Sequence, residues 1–232
     1  MCNGTIMDKL ISFAFPLMLS GILQLMFNAV DIIVVGRFSG SQALAAVGST
    51  TALINVFVNL FIGISLGANV LAARFYAAGR EEEMSQTVHT AITLALISGV
   101  VMAFVGVLFA KGALELMGTP DDVIGQSTLY MRIYFMGMPF FMLYNYGAAI
   151  LRAIGDTKRP LIFLIISGIA NAALNMILVI LFHMGVAGVA IGTIISQLIS
   201  CVLVLTCLYR SEGSYQLRFS KLKINGAYME QI

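Results

Sequence analysis

The chain has 232 residues, of which 59% are hydrophobic and only 10% charged, with no tryptophan and a formal net charge of +2. An apolar content so far above that of an average soluble domain excludes a water-soluble globular fold. The small positive balance gives no footprint for nucleic acid, and apolar runs that are continuous rather than alternating exclude a transmembrane β-barrel.

The apolar runs reach the roughly 20 residues that a helix needs to cross the hydrocarbon core. The sequence therefore predicts an all-α, polytopic membrane protein with the lipid bilayer as its solvent. Six spans are read, at residues 10–36, 43–73, 88–110, 122–151, 161–182 and 186–208. The first run is too long for a signal peptide and has no small-residue cleavage site close behind it, so it counts as a span.

Helix punctuation fills the connections. Gly79 is expected to cap the second helix, and Glu81, Glu82 and Glu83 suit the positive end of the third. In GTPDD, Thr119 is the candidate N-cap of the fourth helix, Pro120 its first residue, and Asp121 and Asp122 its first turn. Pro16 lies inside the first helix, where a missing N–H produces a kink and makes a candidate gate.

Lysine and arginine divide unevenly between the two faces of the membrane. One side carries Lys9, Arg74, Arg80, Arg152, Lys158, Arg159, Arg210, Arg218, Lys221 and Lys223; the other carries Arg37, Lys111 and Arg132. Positive charge accumulates in the cytoplasm, so both termini are expected there, in a multi-pass protein of the cell membrane. The domain reading is a cytoplasmic N-terminus at 1–9, a six-helix transmembrane lobe at 10–208 and a cytoplasmic linker at 209–232. The opening MDKLI (7–11) and the closing MEQI (229–232) are alike. A parallel six-helix repeat would begin in this way, so a truncated chain with a missing C-terminal lobe is expected.

Within the first span, Gln24, Asn28 and Asp31 stand at i, i+4 and i+7 and share one face. With the helix extended to Phe38, Asp31 lies roughly 10 Å inside its outer end. A charge at that depth costs at least ~2.5 kcal/mol unless it meets water, a partner or a proton, so it should face the bundle interior. Asn55 and Asn59, Tyr130 and Tyr134, Asn171 and Asn175, and Thr193 and Gln197 repeat the i, i+4 pattern on four further helices. Such stripes can line a shared hydrophilic cavity, or they can be interhelical glue. A carboxylate among amides can exchange a proton, or can join neutral oxygens in a site for a hard monovalent cation.

The residues also carry a resemblance. The proline followed by VDIIVVGRF, then ALAAVG (43–48), GISLGANVLAARFYAAG and RAIGDTKRP (152–160) resemble the multidrug and toxic compound extrusion (MATE) transporters, and the chain looks like their N-terminal lobe. The resemblance implies a twelve-helix antiporter of two six-helix lobes, exporting small amphipathic substrates such as organic cations in exchange for Na⁺ or H⁺, with no enzymatic activity and no cofactor beyond the coupling ion. It implies Asp31 as the coupling carboxylate, Asn171, Asn175 and Thr193 as its neighbours and as oxygen donors for Na⁺, and Tyr130 as a weaker match. Gln24, Asn28, Asn55, Asn59 and Gln197 are the further cavity-lining candidates.

Some members of that family carry a second aspartate where this chain has Asn175. In RAIGDTKRP, Gly155 reads as a helix cap, Asp156 as structural, and Pro160 as the opening of the next span. A lipid or lipid-linked oligosaccharide flippase of the related superfamily is the alternative, disfavoured because the spans hold almost no Arg or Lys to bind phosphate. A non-transporting fragment or scaffold is the other. No nucleophilic or metal constellation points to an intramembrane enzyme. His89 and His183 read as surface or interface residues, and Cys201 and Cys207 as apolar-span thiols.

Overall fold

The computed structural model describes residues 6–218, with side-chain environments from residue 11 onward. Lys9 as a side chain, Lys221, Lys223, Cys2 and the MEQI repeat lie outside the described residues. Within them the chain forms seven α-helices and no strand: α1 (Ile6–Phe38), α2 (Gly40–Ala77), α3 (Glu81–Leu116), α4 (Asp121–Met136), α5 (Met138–Ala153), α6 (Lys158–Met176) and α7 (Gly185–Arg210). A π-helical turn, Ile177–Leu181, continues α6. Five stretches are long and apolar enough to cross a membrane alone; the remaining crossing is α4 and α5 in tandem, each about 24 Å long at 1.5 Å per residue.

That tandem corrects the reading of 122–151 as one unbroken helix. Pro139 has no N–H to return to the preceding turn, and Gly137 stands at the junction. The backbone N–H groups of Phe140 and Phe141 both converge on Gly137 O, at 3.1 Å each. Helix α3 is shaped to fit the break. A Cβ on Gly99 would lie 2.6 Å from Pro139 Cα, and one on Gly106 would run into the Phe135 ring. Two glycines seven residues apart thus let α3 approach the irregular backbone closely, as small residues do in membrane bundles.

Most of the predicted punctuation holds. Gly79 (φ +67°) and Gly155 (φ +88°) end α2 and α5. In both, paired bonds return to the last turn: Arg80 N–H to Phe75 O with Gly79 N–H to Tyr76 O, and Asp156 N–H to Leu151 O with Gly155 N–H to Arg152 O. Thr119 is a correction. It does not cap α4; Pro120 occupies the cap position, and the Thr119 N–H returns to Leu114 O at 3.1 Å. Helix α1 runs unbroken through Pro16, whose carbonyl accepts from Ser20 Oγ at 2.8 Å.

The larger core joins α2, α3, α4, α5 and α7 around Phe135, Met142, Tyr146 and Leu208. A smaller one joins α1, α2, α4 and α7 around Val34, Val35, Val47, Tyr130 and Val189. Helix α1 packs chiefly on α6, where the missing side chain of Gly168 admits the ring of Phe27. That seam sets the position of Asp31.

Candidate functional site

Asp31 is half-buried and turned from α1 toward the last turn of α6. Its carboxylate accepts a hydrogen bond from Asn175 Nδ2. The same amide nitrogen donates to Asn171 Oδ1 at 3.2 Å, one turn earlier on α6. Asn171 Nδ2 in turn faces Thr193 Oγ1 and Ser196 Oγ on α7, at 3.5 Å each. The hydroxyls of Thr193 and Ser196 donate to the carbonyls of Val189 (2.9 Å) and Thr193 (2.8 Å) on their own helix. A polar thread therefore runs from α1 through α6 to α7. None of the three ion pairs among the described residues involves Asp31.

Helix α4 forms the next wall. Tyr130 and Tyr134 stack with ring centroids 6.2 Å apart and planes 29° apart, and both stand close enough to Asp31 to feel its charge. Gln197 shares a hydrogen bond with Tyr134. Its Oε1 lies only 2.8 Å from where a Cβ on Gly137 would stand, so the side chain of α7 rests in the break between α4 and α5. The site and the irregular backbone are contiguous.

Asn175 has no exposed surface, yet its Oδ1 has no hydrogen-bond partner among the described residues. This oxygen points at Gly192 of α7, where any Cβ would collide with it. The arrangement bears on cation binding. An amide N–H group, not an oxygen, stands between the Asp31 carboxylate and Asn171 Oδ1, so the four candidate Na⁺ ligands do not converge their oxygens. Turning the Asn175 amide over would bring its oxygen to Asp31 and Asn171 Oδ1, while Thr193 Oγ1 stays against Asn171 Nδ2. Among the described residues no cluster of three or more His, Cys, Asp or Glu side chains offers another metal site.

Of the residues singled out in the sequence, the structure brings together Asp31, Asn171, Asn175, Thr193, Tyr130 and Gln197. It leaves out Gln24 and Asn28, which are exposed on α1, and Asn55 and Asn59, which are exposed on α2. Asn59 Nδ2 donates locally to Asn55 O at 2.8 Å. Pro16 lies on α1 four turns before Asp31. Ser196 and Gly192 went unread. Ser196 follows Thr193 at i+3 on the same face of α7, a spacing that could have found it; Gly192 has no side chain to signal its role.

The MatE family model matches residues 16–177. The chain belongs to the MatE family. This MatE chain is 37% identical over 213 residues to the probable multidrug resistance protein YoeA of Bacillus subtilis (strain 168), covering 90% of this chain and 46% of that protein. It is 22% identical to the multidrug export protein MepA of Staphylococcus saprophyticus, covering 85% and 44%. A crystal structure of MATE in the bent conformation superimposes with a TM-score of 0.90 at 21% identity, over 98% of this chain and 51% of the other. The chain thus spans about half the length of the relatives it matches. It is an all-α, multi-pass membrane protein with the fold of one six-helix lobe, in a family of transporters rather than enzymes.

Proposed function

We propose that this MatE chain is the N-terminal lobe of a secondary antiporter that exports organic cations or other amphipathic small molecules in exchange for an ion, with Asp31 as the coupling carboxylate. In this reading 10–208 is the lobe, 209–232 the linker to a second lobe, both termini are cytoplasmic and the membrane is the cell membrane. One observation carries it: a half-buried carboxylate that accepts from the Asn175 amide on α6, lies beside the Tyr130 and Tyr134 phenols of α4, and has no basic partner among the described residues. An acid with a permanent cation beside it stays ionised; this one is free to change state.

The hydrogen-bond pattern supports H⁺ as the coupling ion. Ionised Asp31 is met by a donor, Asn175 Nδ2, and protonation weakens that bond by removing its charge. The bond joins α1 to α6, so the proton changes how strongly the two helices are held together, a bias of the kind that alternating access requires. Na⁺ is the second reading, and the unpartnered Asn175 Oδ1 favours it: turned over, that oxygen would join the Asp31 carboxylate and Asn171 Oδ1.

The test is Asp31→Asn in a complete two-lobe protein containing this lobe. Ion-driven dye export from proteoliposomes is expected to disappear while membrane insertion stays normal. Export unchanged at several pH values and Na⁺ concentrations would defeat the assignment.

A further inference from the structure

Past Arg210 the backbone does not run off into solvent. Ser211 Oγ donates to Cys207 O at 2.6 Å, Gly213 takes a φ of +110°, and the Gln216 N–H returns to Gly213 O at 3.2 Å. The chain then doubles back. Leu217 N–H donates to Leu208 O at 3.1 Å, and its side chain is 0% exposed within the larger core. Tyr215 meets Tyr76 of α2 edge to face, with centroids 6.4 Å apart.

The next N–H, that of Arg218, donates to Nε2 of His89 on α3 at 3.0 Å. His89, read from the sequence as a surface or interface residue, is only 3% exposed, and its Nδ1 lies 2.6 Å from Ser85 O. A carbonyl can only accept. Nδ1 therefore carries the proton, and Nε2 is the bare nitrogen that an N–H can use. A surface connection has no need of a buried leucine or of a buried ring that accepts from its backbone.

We propose that residues 211–218 are a strap latched onto the bundle by His89, Leu217 and Tyr215. Residues 211–218 then move with this lobe as part of its bundle and do not act as a free connection at the end of α7. His89 is the latch because it alone among the three holds the strap's backbone from another helix.

Limited trypsin digestion of the chain purified in detergent reads the latch without any transport assay, because the bond after Arg218 is tryptic. His89→Phe keeps a ring but offers no acceptor, and is expected to speed cleavage after Arg218 about tenfold, as loss of one buried hydrogen bond implies. Amide exchange across 211–218 should rise in parallel. Leu217→Ser is expected to act likewise through the second anchor, and His89→Gln, which retains an acceptor, to stay within about threefold of the starting protein. Cleavage after the exposed Lys158, at the start of α6, is the internal control. Equal rates after Arg218 in the starting protein and in His89→Phe would overturn the strap. If His89→Phe does not fold, the same comparison with Leu217→Ser decides.

Discussion

Asn175 Nδ2 donates to Asp31 across 144 positions of sequence, while Oδ1 of the same buried amide has no partner among the described residues. An unsatisfied buried acceptor costs about 1–3 kcal/mol. The amide therefore sits where it does on account of the carboxylate and of Asn171, and gains nothing from the helix its oxygen faces. An amide satisfied at one end only is poised to respond to the state of that end.

Replacing Asn175 separates donation from charge. Asn175→Leu preserves volume but removes the N–H, leaving Asp31 and Asn171 Oδ1 without their shared donor, and is expected to lower ion-coupled export at least tenfold in a complete two-lobe protein. Asn175→Asp puts two carboxylates in direct contact, and like charges at that range cannot both ionise freely. Its thermal midpoint is expected to fall between about pH 5 and pH 8 by more than that of the starting protein. Identical pH profiles of unfolding would show that the two side chains do not sense each other.

Gly192 offers a test from the other side of the amide. A methyl group there would occupy the space of Asn175 Oδ1, so Gly192→Ala must push the amide off Asp31 or separate α6 from α7, at a cost of about 1–3 kcal/mol. Export in the complete protein is expected to drop, with the helical content unchanged. Gly63→Ala is the matched control, since a Cβ there meets nothing within 4 Å. Equal export by the two variants would remove Gly192 from the site.

Asp156 is expected to matter for stability and not for transport. Its Oδ1 accepts the Arg159 N–H at 3.1 Å, and Oδ2 pairs with Arg159 Nε at 3.1 Å. It therefore stands at the start of α6 as a capping carboxylate. Asp156→Ala should cost about 1 kcal/mol, visible as a lower thermal midpoint, with dye export retained in the complete protein. Loss of export at unchanged stability would give Asp156 a role in the transport cycle.

The helices were legible because the membrane enforces them: with no water to satisfy the backbone, each apolar run can only be helical. The α4–α5 break was not, since membrane helices tolerate an internal Pro or Gly, and only the glycines of α3 show how the irregularity is accommodated. The centre of the site was legible for a similar reason. Asp31 is conspicuous in an apolar span, and the i, i+4 amides of α6 share one face. Gln24 and Asn28, and Asn55 and Asn59, show the same spacing, but periodicity puts residues on one face without saying what covers it, and in this lobe they lie outside the cluster around Asp31. His89 was misjudged because its partner, the Arg218 backbone, is 129 residues away and carries no side-chain signature.

The exposed amides make the last testable case. Asn28 on α1 and Asn59 on α2 lie outside the buried cluster, and in hydrocarbon an unpaired amide side chain is costly. They are expected to face an aqueous cleft in the complete protein. With Cys2, Cys201 and Cys207 replaced by Ser, single cysteines at Asn28 and Asn59 should react readily with a membrane-impermeant maleimide. A cysteine at Phe104, an apolar position on α3 that is 71% exposed, should stay unlabelled in lipid. If thiols at 28 and 59 react no faster than the one at 104, these amides lie against lipid, and the cavity is confined to the cluster around Asp31.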